Sequence, residues 1–111
     1  MIEKVILDYL KSSIRVPVYM ERPEKDEGEF VVIEKTSSGK TNYICQAAFA
    51  IQSFGNSLLR AAEINEEVKA AMDEIIVLPE ISRSKLNSDY NFTDTEKKRY
   101  RYQAVYDITH Y

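Results

Sequence analysis

Between Ile44 and Met72 the spacing of apolar residues changes period once, and that change marks the centre of the chain. Cys45, Ala47, Phe49 and Ile51 alternate with Gln46, Ala48, Ala50 and Gln52, so the bulkier groups fall on one side of a strand. Phe54, Gly55, Asn56 and Ser57 interrupt the alternation, and Asn56 or Ser57 offers a side-chain oxygen to the free amides of a helix start. No Glu or Gln stands where a capping box needs one. Leu58, Ala61, Ile64, Val68, Ala71, Met72 and Ile75 then recur at steps of three and four, with Glu63, Asn65, Glu66, Lys69 and Asp73 directed away. A single apolar stripe calls for a single sheet face, which the preceding strand supplies.

The flanking segments complete the pattern. Ile2, Val5, Ile6, Tyr9 and Leu10 predict a short amphipathic helix ending before Ser12 and Ser13. Val16, Val18 and Tyr19 predict a brief strand that Pro17 confines to a sheet edge. Glu21 to Glu29 is broken by Pro23 and Gly28 and reads as an exposed acidic loop. Phe30 to Ile33 is apolar without alternation, as in a strand covered on both faces. Thr36 to Thr41 is expected to turn the chain, Asn42 to begin the next strand, and the pair to form a hairpin. After Leu78 and Pro79, Ile81 to Leu86 alternates weakly as a fourth strand, and Asn87 to Glu96 reads as a polar loop holding Tyr90 and Phe92. In the last strand Tyr100, Tyr102, Ala104, Tyr106 and Ile108 oppose Arg101, Gln103, Val105, Asp107 and Thr109. The expected fold is a single α+β domain over residues 1–111, a mainly antiparallel sheet packed by two helices in the order α-β-β-β-α-β-β.

Composition narrows the chemistry. A chain of 111 residues buries roughly 65% of its unfolded surface, enough for a core without staples. Fifteen basic against 18 acidic residues give a net charge of −3, which disfavours a protein devoted to neutralising phosphates. The lone Cys45 allows no intrachain disulfide and reads as a buried thiol in a reducing compartment. Glu3, Lys4 and Asp8 interrupt the first apolar residues, so neither a signal peptide nor a membrane span is expected, and the protein is expected to work in solution.

Three stretches imitate chemical motifs. Ser38-Gly39-Lys40-Thr41 resembles the end of a phosphate-binding loop, but Glu34 replaces the first glycine and a strand follows where a helix is required. Asp89, Asn91, Thr93 and Asp94 have the spacing of early calcium ligands, yet the turn glycine is missing and Tyr100 stands in place of the closing Glu. Hydrogen bonds to the loop's own backbone explain those side chains better. Lys97, Lys98, Arg99 and Arg101, interleaved with Tyr100 and Tyr102, could stack on and neutralise a single nucleic-acid strand, although tyrosines at period two suit sheet packing and subunit contact. His110 has no nucleophile patterned with it, and the carboxylates crowd a loop too loose for acid–base work. The chain is therefore expected not to be an enzyme, and no metal or cofactor is expected.

One resemblance runs through nearly the whole chain. Leu86-Asn87-Ser88-Asp89-Tyr90-Asn91-Phe92-Thr93-Asp94, followed by Lys98 to Asp107, resembles the C-terminal half of the tailed-bacteriophage tail-terminator or head-tail joining (neck) proteins. Val16 to Tyr19, Phe30 to Thr36, and Ala50 to Phe54 leading to Ser57, Ala61 and Ala62 fit the same order. Ser37-Ser38-Gly39 departs from it, since a glycine pair is expected directly after the threonine.

This resemblance implies a virion structural protein of a phage or prophage, assembled in the host cytoplasm and located at the tail or neck. Such a protein forms a ring, commonly a hexamer, that caps the tail tube, ends its polymerisation and presents a surface for head-tail joining. The implied partners are further copies of itself, the tail tube protein, a head-completion or neck protein, and DNA passing through the channel without specific binding. A stopper or head-tail adaptor is the near alternative, and a small nucleic-acid-binding module the distant one. Candidate interface residues are Glu24, Asp26 and Glu27 of the acidic loop, Lys97, Lys98 and Arg99 as their complement in a head-to-tail contact, and Tyr90 and Phe92 as anchors.

Overall fold

A computed structural model describes residues 1–111. Helix α1 (Ile2–Ser13) leads into strand β1 (Val18–Tyr19), then β2 (Phe30–Thr41), β3 (Ile44–Gly55), helix α2 (Leu58–Asp73), a 3-10 turn (Ile75–Val77), β4 (Ile81–Asn91) and β5 (Tyr100–His110). The five strands form one sheet in the order β1-β2-β3-β5-β4. Only the β1–β2 pair is parallel, and the other three ladders are antiparallel. The fold is thus α+β with the expected element order.

β3 lies at the middle of the sheet, paired along its length with β2 on one side and β5 on the other. Both helices pack on the same sheet face. There Ile6 and Leu10 of α1 and Ile64, Val68 and Met72 of α2 meet Val31, Ile33, Phe49, Ile51, Ala104, Tyr106 and Ile108 in one core. The Tyr9 hydroxyl of α1 donates to the Ala71 carbonyl of α2 at 2.6 Å and ties the two helices together. Burial pushes the Tyr106 phenol up to about 12, so it stays protonated, and its hydroxyl meets no partner.

Several local details differ from the sequence expectation. Helix α1 runs on through Ser13 because the hydroxyls of Ser12 and Ser13 both donate back to the Tyr9 carbonyl, each at 2.8 Å, without breaking the helix. The turn between β2 and β3 is Asn42-Tyr43 rather than Thr36 to Thr41. Both residues have positive φ, 50° and 69°, as a two-residue hairpin needs. Serines and a glycine suggested a turn, but Ser37 to Thr41 stay paired with β3, and a bulge between Lys35 and Ser37 accommodates Thr36. Strand β4 likewise reaches Asn91, shortening the expected polar loop to residues 92–99. Bulges between Ile81 and Arg83 and between Leu86 and Ser88 shift its faces twice, which removes the period-two signal. In α2, Leu58 is exposed, while Asn65 is buried and donates to Asp89 of β4 at 2.7 Å. Cys45 is only partly buried.

The junction from β3 to α2 is set by steric limits. Ser57 is the cap, its hydroxyl accepting from the Arg60 amide at 3.2 Å. A Cβ on Gly55 would lie 2.4 Å from the backbone nitrogen of Ala61, so only glycine lets the strand end approach the first turn of the helix. Gly55→Ala is expected to cost about 3 kcal/mol, the upper range for overpacking a closed site. Urea unfolding measures this, and an unchanged midpoint would show that the contact yields.

Candidate interaction surfaces

The face of the sheet turned away from the helices is formed by all four long strands. The ladder registers place Phe30, Val32, Glu34 and Ser37 of β2 on this face, with Ala48, Ala50, Gln52 and Phe54 of β3. Arg101, Gln103, Val105 and Asp107 of β5 and Arg83, Lys85, Ser88 and Tyr90 of β4 complete it. Alanines and glutamines in the centre keep it low and polar. Gln52 Nε2 donates to Gln103 Oε1 at 2.8 Å, and Gln103 Nε2 donates to the Tyr90 hydroxyl.

At the end of this face nearest α2, a small aromatic core replaces the missing helix. Phe30 and Phe54 stack at 4.6 Å between ring centroids, with Val32 beside them. Three guanidinium groups cover these rings: Arg22 lies 4.9 Å from the Phe54 centroid, Arg99 5.3 Å and Arg101 5.6 Å. Arg101 also sits 4.3 Å over Phe92. A planar cation on a ring face shields apolar surface while its nitrogens stay available for hydrogen bonds. Burial, with Arg22 nearby, lowers the Arg101 pKa from its ordinary value.

Arg99 joins this end together. It pairs with Asp26 at 3.0 Å and donates to the carbonyls of Gly28 at 2.6 Å and Gly55 at 3.2 Å. Asp26 is held a second time by Arg22 at 2.6 Å. Next to it, both Glu29 oxygens accept from Arg60 at 3.0 Å, which lowers the Glu29 pKa below its ordinary value. The acidic loop and the segment 92–99 are therefore joined within one chain.

All the residues expected at an interface lie at or near this end, in different states. Asp26 and Arg99 are engaged with each other. Glu24, Glu27, Lys97 and Lys98 are exposed, with Lys98 at a positive φ of 50° in its turn. Tyr90 and Phe92 meet edge to face at 5.8 Å, and 40% and 41% of their surfaces stay open. Asp89 and Asp94, two of the residues with the spacing of calcium ligands, are engaged within the chain. Asp89 binds Lys69 at 2.6 Å, which with Glu66 raises the Lys69 pKa. Asp94 accepts the amides of Glu96 and Lys97 at 3.1 and 3.2 Å, the loop-backbone bonding that its spacing suggested.

Other exposed apolar groups were not read from the sequence. Tyr43 and Ile44 form the hairpin tip, and Ile76 and Val77 lie in the 3-10 turn just before β4, whose first residue is level with that end of β3. Leu58 and Leu59 are exposed at the opposite end, where α2 begins. No sequence signal marked the tip, because Asn42-Tyr43 lacks the glycine that a two-residue hairpin turn favours and residues 34–41 are polar without alternation. Nothing local marks Leu59, because helical spacing assigns a face and not what lies beside it. The side chains of Ser38 to Thr41 sit in an extended strand, and no group of three or more His, Cys, Asp or Glu residues is placed to hold a metal ion.

Compared with known proteins, the sequence matches no protein-family model and no curated protein.

Arg99→Ala is expected to lower stability by about 2 kcal/mol through the loss of charge-assisted bonds to two carbonyls. It should also expose residues 20–29 to limited proteolysis. Arg99→Lys keeps the charge but not the three-way fork, and is expected to recover less than half of that stability. Full recovery would assign the effect to charge alone.

Proposed function

We propose that the chain is a ring-forming structural protein that caps a bacteriophage tail tube, stops its growth and carries the surface for head-tail joining. The observation that carries this reading is the separation of two apolar ends along the body. Tyr43, Ile44, Ile76 and Val77 lie at one end of β3 and Leu58, Leu59 and Phe92 at the other, in a molecule whose longest dimension is 45 Å. A terminator must bind tube on one side and neck on the other, and surfaces at opposite ends of one sheet suit that task. The ordered sequence resemblance supports the same reading. A stopper or adaptor of the neck would draw on the same two ends, and the neighbour captured, tube protein or portal-side protein, distinguishes it.

The nucleic-acid reading gains less. Arg99 and Arg101, the strongest phosphate ligands in the basic segment, lie over the chain's own phenylalanines, and Arg99 is paired with Asp26. Lys97 and Lys98 alone leave little for counterion release.

Tails assembled without this protein are expected to carry tubes of irregular, excess length under negative-stain microscopy, and tubes of uniform normal length would sink the proposal. A second prediction concerns Tyr90 and Phe92. Replacing both by Ala is expected to weaken self-association by about 2 kcal/mol or more, as for an interface anchor. Sedimentation of the folded variant over a concentration series reads this directly.

A further inference from the structure

Two bulges in β4 turn a pair of cations to the face that no helix covers. Ile81 is buried in the core beneath the helices, so strict alternation from it would send Arg83 and Lys85 to that same side. The bulge at Ser82 takes up one residue, and Arg83 and Lys85 instead stand level with Thr109 and Asp107 of β5. The second bulge, at Asn87, restores the original alternation, with Asp89 on the helix side and Ser88 and Tyr90 off it. Only Arg83 to Leu86 are reversed. Extra residues of this kind re-aim side chains and are common beside binding sites.

The two cations border a depression of about 290 Å³ whose other walls are Gln46 of β3 and Asp107 and Thr109 of β5. It differs from the other depressions on the surface in having no hydrophobic residue in its lining. Ala48 stands level with Asp107, and Gly39 with Gln46, and both are too small to fill the space on the β2 side.

Neither cation has an ion-pair partner in the chain. The arginines at the aromatic end are different: Arg22 and Arg99 pair with Asp26, Arg60 pairs with Glu29 and Glu63, and Arg101 lies over Phe92. Asp107 stands directly across the ladder from Lys85, yet Asn87, the residue of the second bulge, is the group that donates to its Oδ2, at 3.0 Å. The bulge therefore does two things: it ends the reversed stretch and holds the one carboxylate of the depression apart from the cations.

We infer that this depression binds a singly charged carboxylate that carries a hydrogen-bond donor beside it. The planar fork of Arg83 matches the two oxygens of a carboxylate, and Lys85, roughly 7 Å further along the strand, adds a point charge. Asp107 keeps Oδ1 for a donor on the ligand, and Gln46 and Thr109 can each donate or accept. Asp107 also disfavours phosphate. Two cations and one carboxylate leave a single net positive charge, and a phosphate dianion would set its second charge against Asp107. The volume is at the lower end for small-molecule sites, so the group held is small. A free hydroxy acid has this chemistry, and so does an aspartate side chain beside its own backbone amide in a partner protein. The inference stands apart from the ring-forming reading and does not need it.

The test titrates the whole chain at constant ionic strength with L-lactate, N-acetyl-aspartate N-methylamide, acetate or inorganic phosphate. Nitrogen-resolved proton spectra follow the Arg83 Nε–H and the Gln46 side-chain amide. Saturable shifts are expected with lactate and with the capped aspartate, at affinities about tenfold above acetate, the equivalent of one hydrogen bond to a charged group. The tighter of the two identifies the source, a free acid or a protein side chain. No saturable shift with either, or phosphate binding as tightly as both, overturns the proposal. Arg83→Gln and Lys85→Gln are each expected to weaken lactate binding about tenfold, whereas Lys11→Gln, on α1 across the sheet, should leave it unchanged. An equal loss in Lys11→Gln would mean diffuse attraction and no site. Asp107→Ala is expected to erase the preference for lactate over acetate while tightening phosphate, and a preference that survives removes the paired recognition and the proposal with it.

Discussion

Two helices cannot cover both faces of a five-stranded sheet, and most of this molecule follows from that constraint. α1 and α2 are joined by the bond from Tyr9 to Ala71 and share one face, where the continuous core lies. The bare face then has to be stable against water without a second layer. It meets that demand with alanine and glutamine in the middle and aromatic rings at one end. Burying an isolated polar group is costly, so the glutamines are paired with each other and with Tyr90.

The aromatic end is a small second core whose cover is made of arginine. Stacked Phe30 and Phe54 would otherwise be an exposed apolar patch. Arg22 arrives from the acidic loop and Arg99 and Arg101 from the entry to β5, so shielding the rings also fixes the two segments that carry them. Packing and loop order are thus one event here. Asp26 bridges two of the three guanidinium groups, and Glu29 with Arg60 anchors the same loop to α2. The acidic loop looks flexible in composition but is ordered by contacts from elsewhere in the chain.

How much of this was legible in the sequence depends on whether a feature is local. The period change around Gly55, the amphipathic stripes and the edge character imposed by Pro17 are local and led to the α+β order. The features that went unread are those where spacing and setting conflict. Ser37 to Thr41 has turn composition yet pairs as strand, and two bulges hide β4 from a period-two reading. Asn65 occupies the polar side of its helix but is buried because Asp89 crosses above it. The candidate residues were found as types and sequence neighbours. That Arg99 reaches Asp26 across 73 positions of sequence is long-range information that no local pattern contains.

The outer half of the β2–β3 hairpin combines regular pairing with almost no burial on the β2 side. From Glu34 to Thr41 every β2 side chain is exposed, and the tip holds Tyr43 in a left-handed backbone conformation that suits glycine better. Cooperative stability is not uniform in a fold, and segments with few buried contacts open without the rest. Amide hydrogens of this arm should therefore exchange with solvent through local opening, while those of Phe49, Ile51 and Ala104 wait for global unfolding. The arm is held in strand form mainly by its ladder to β3, and so retains the freedom to gain order from whatever next lies beside it.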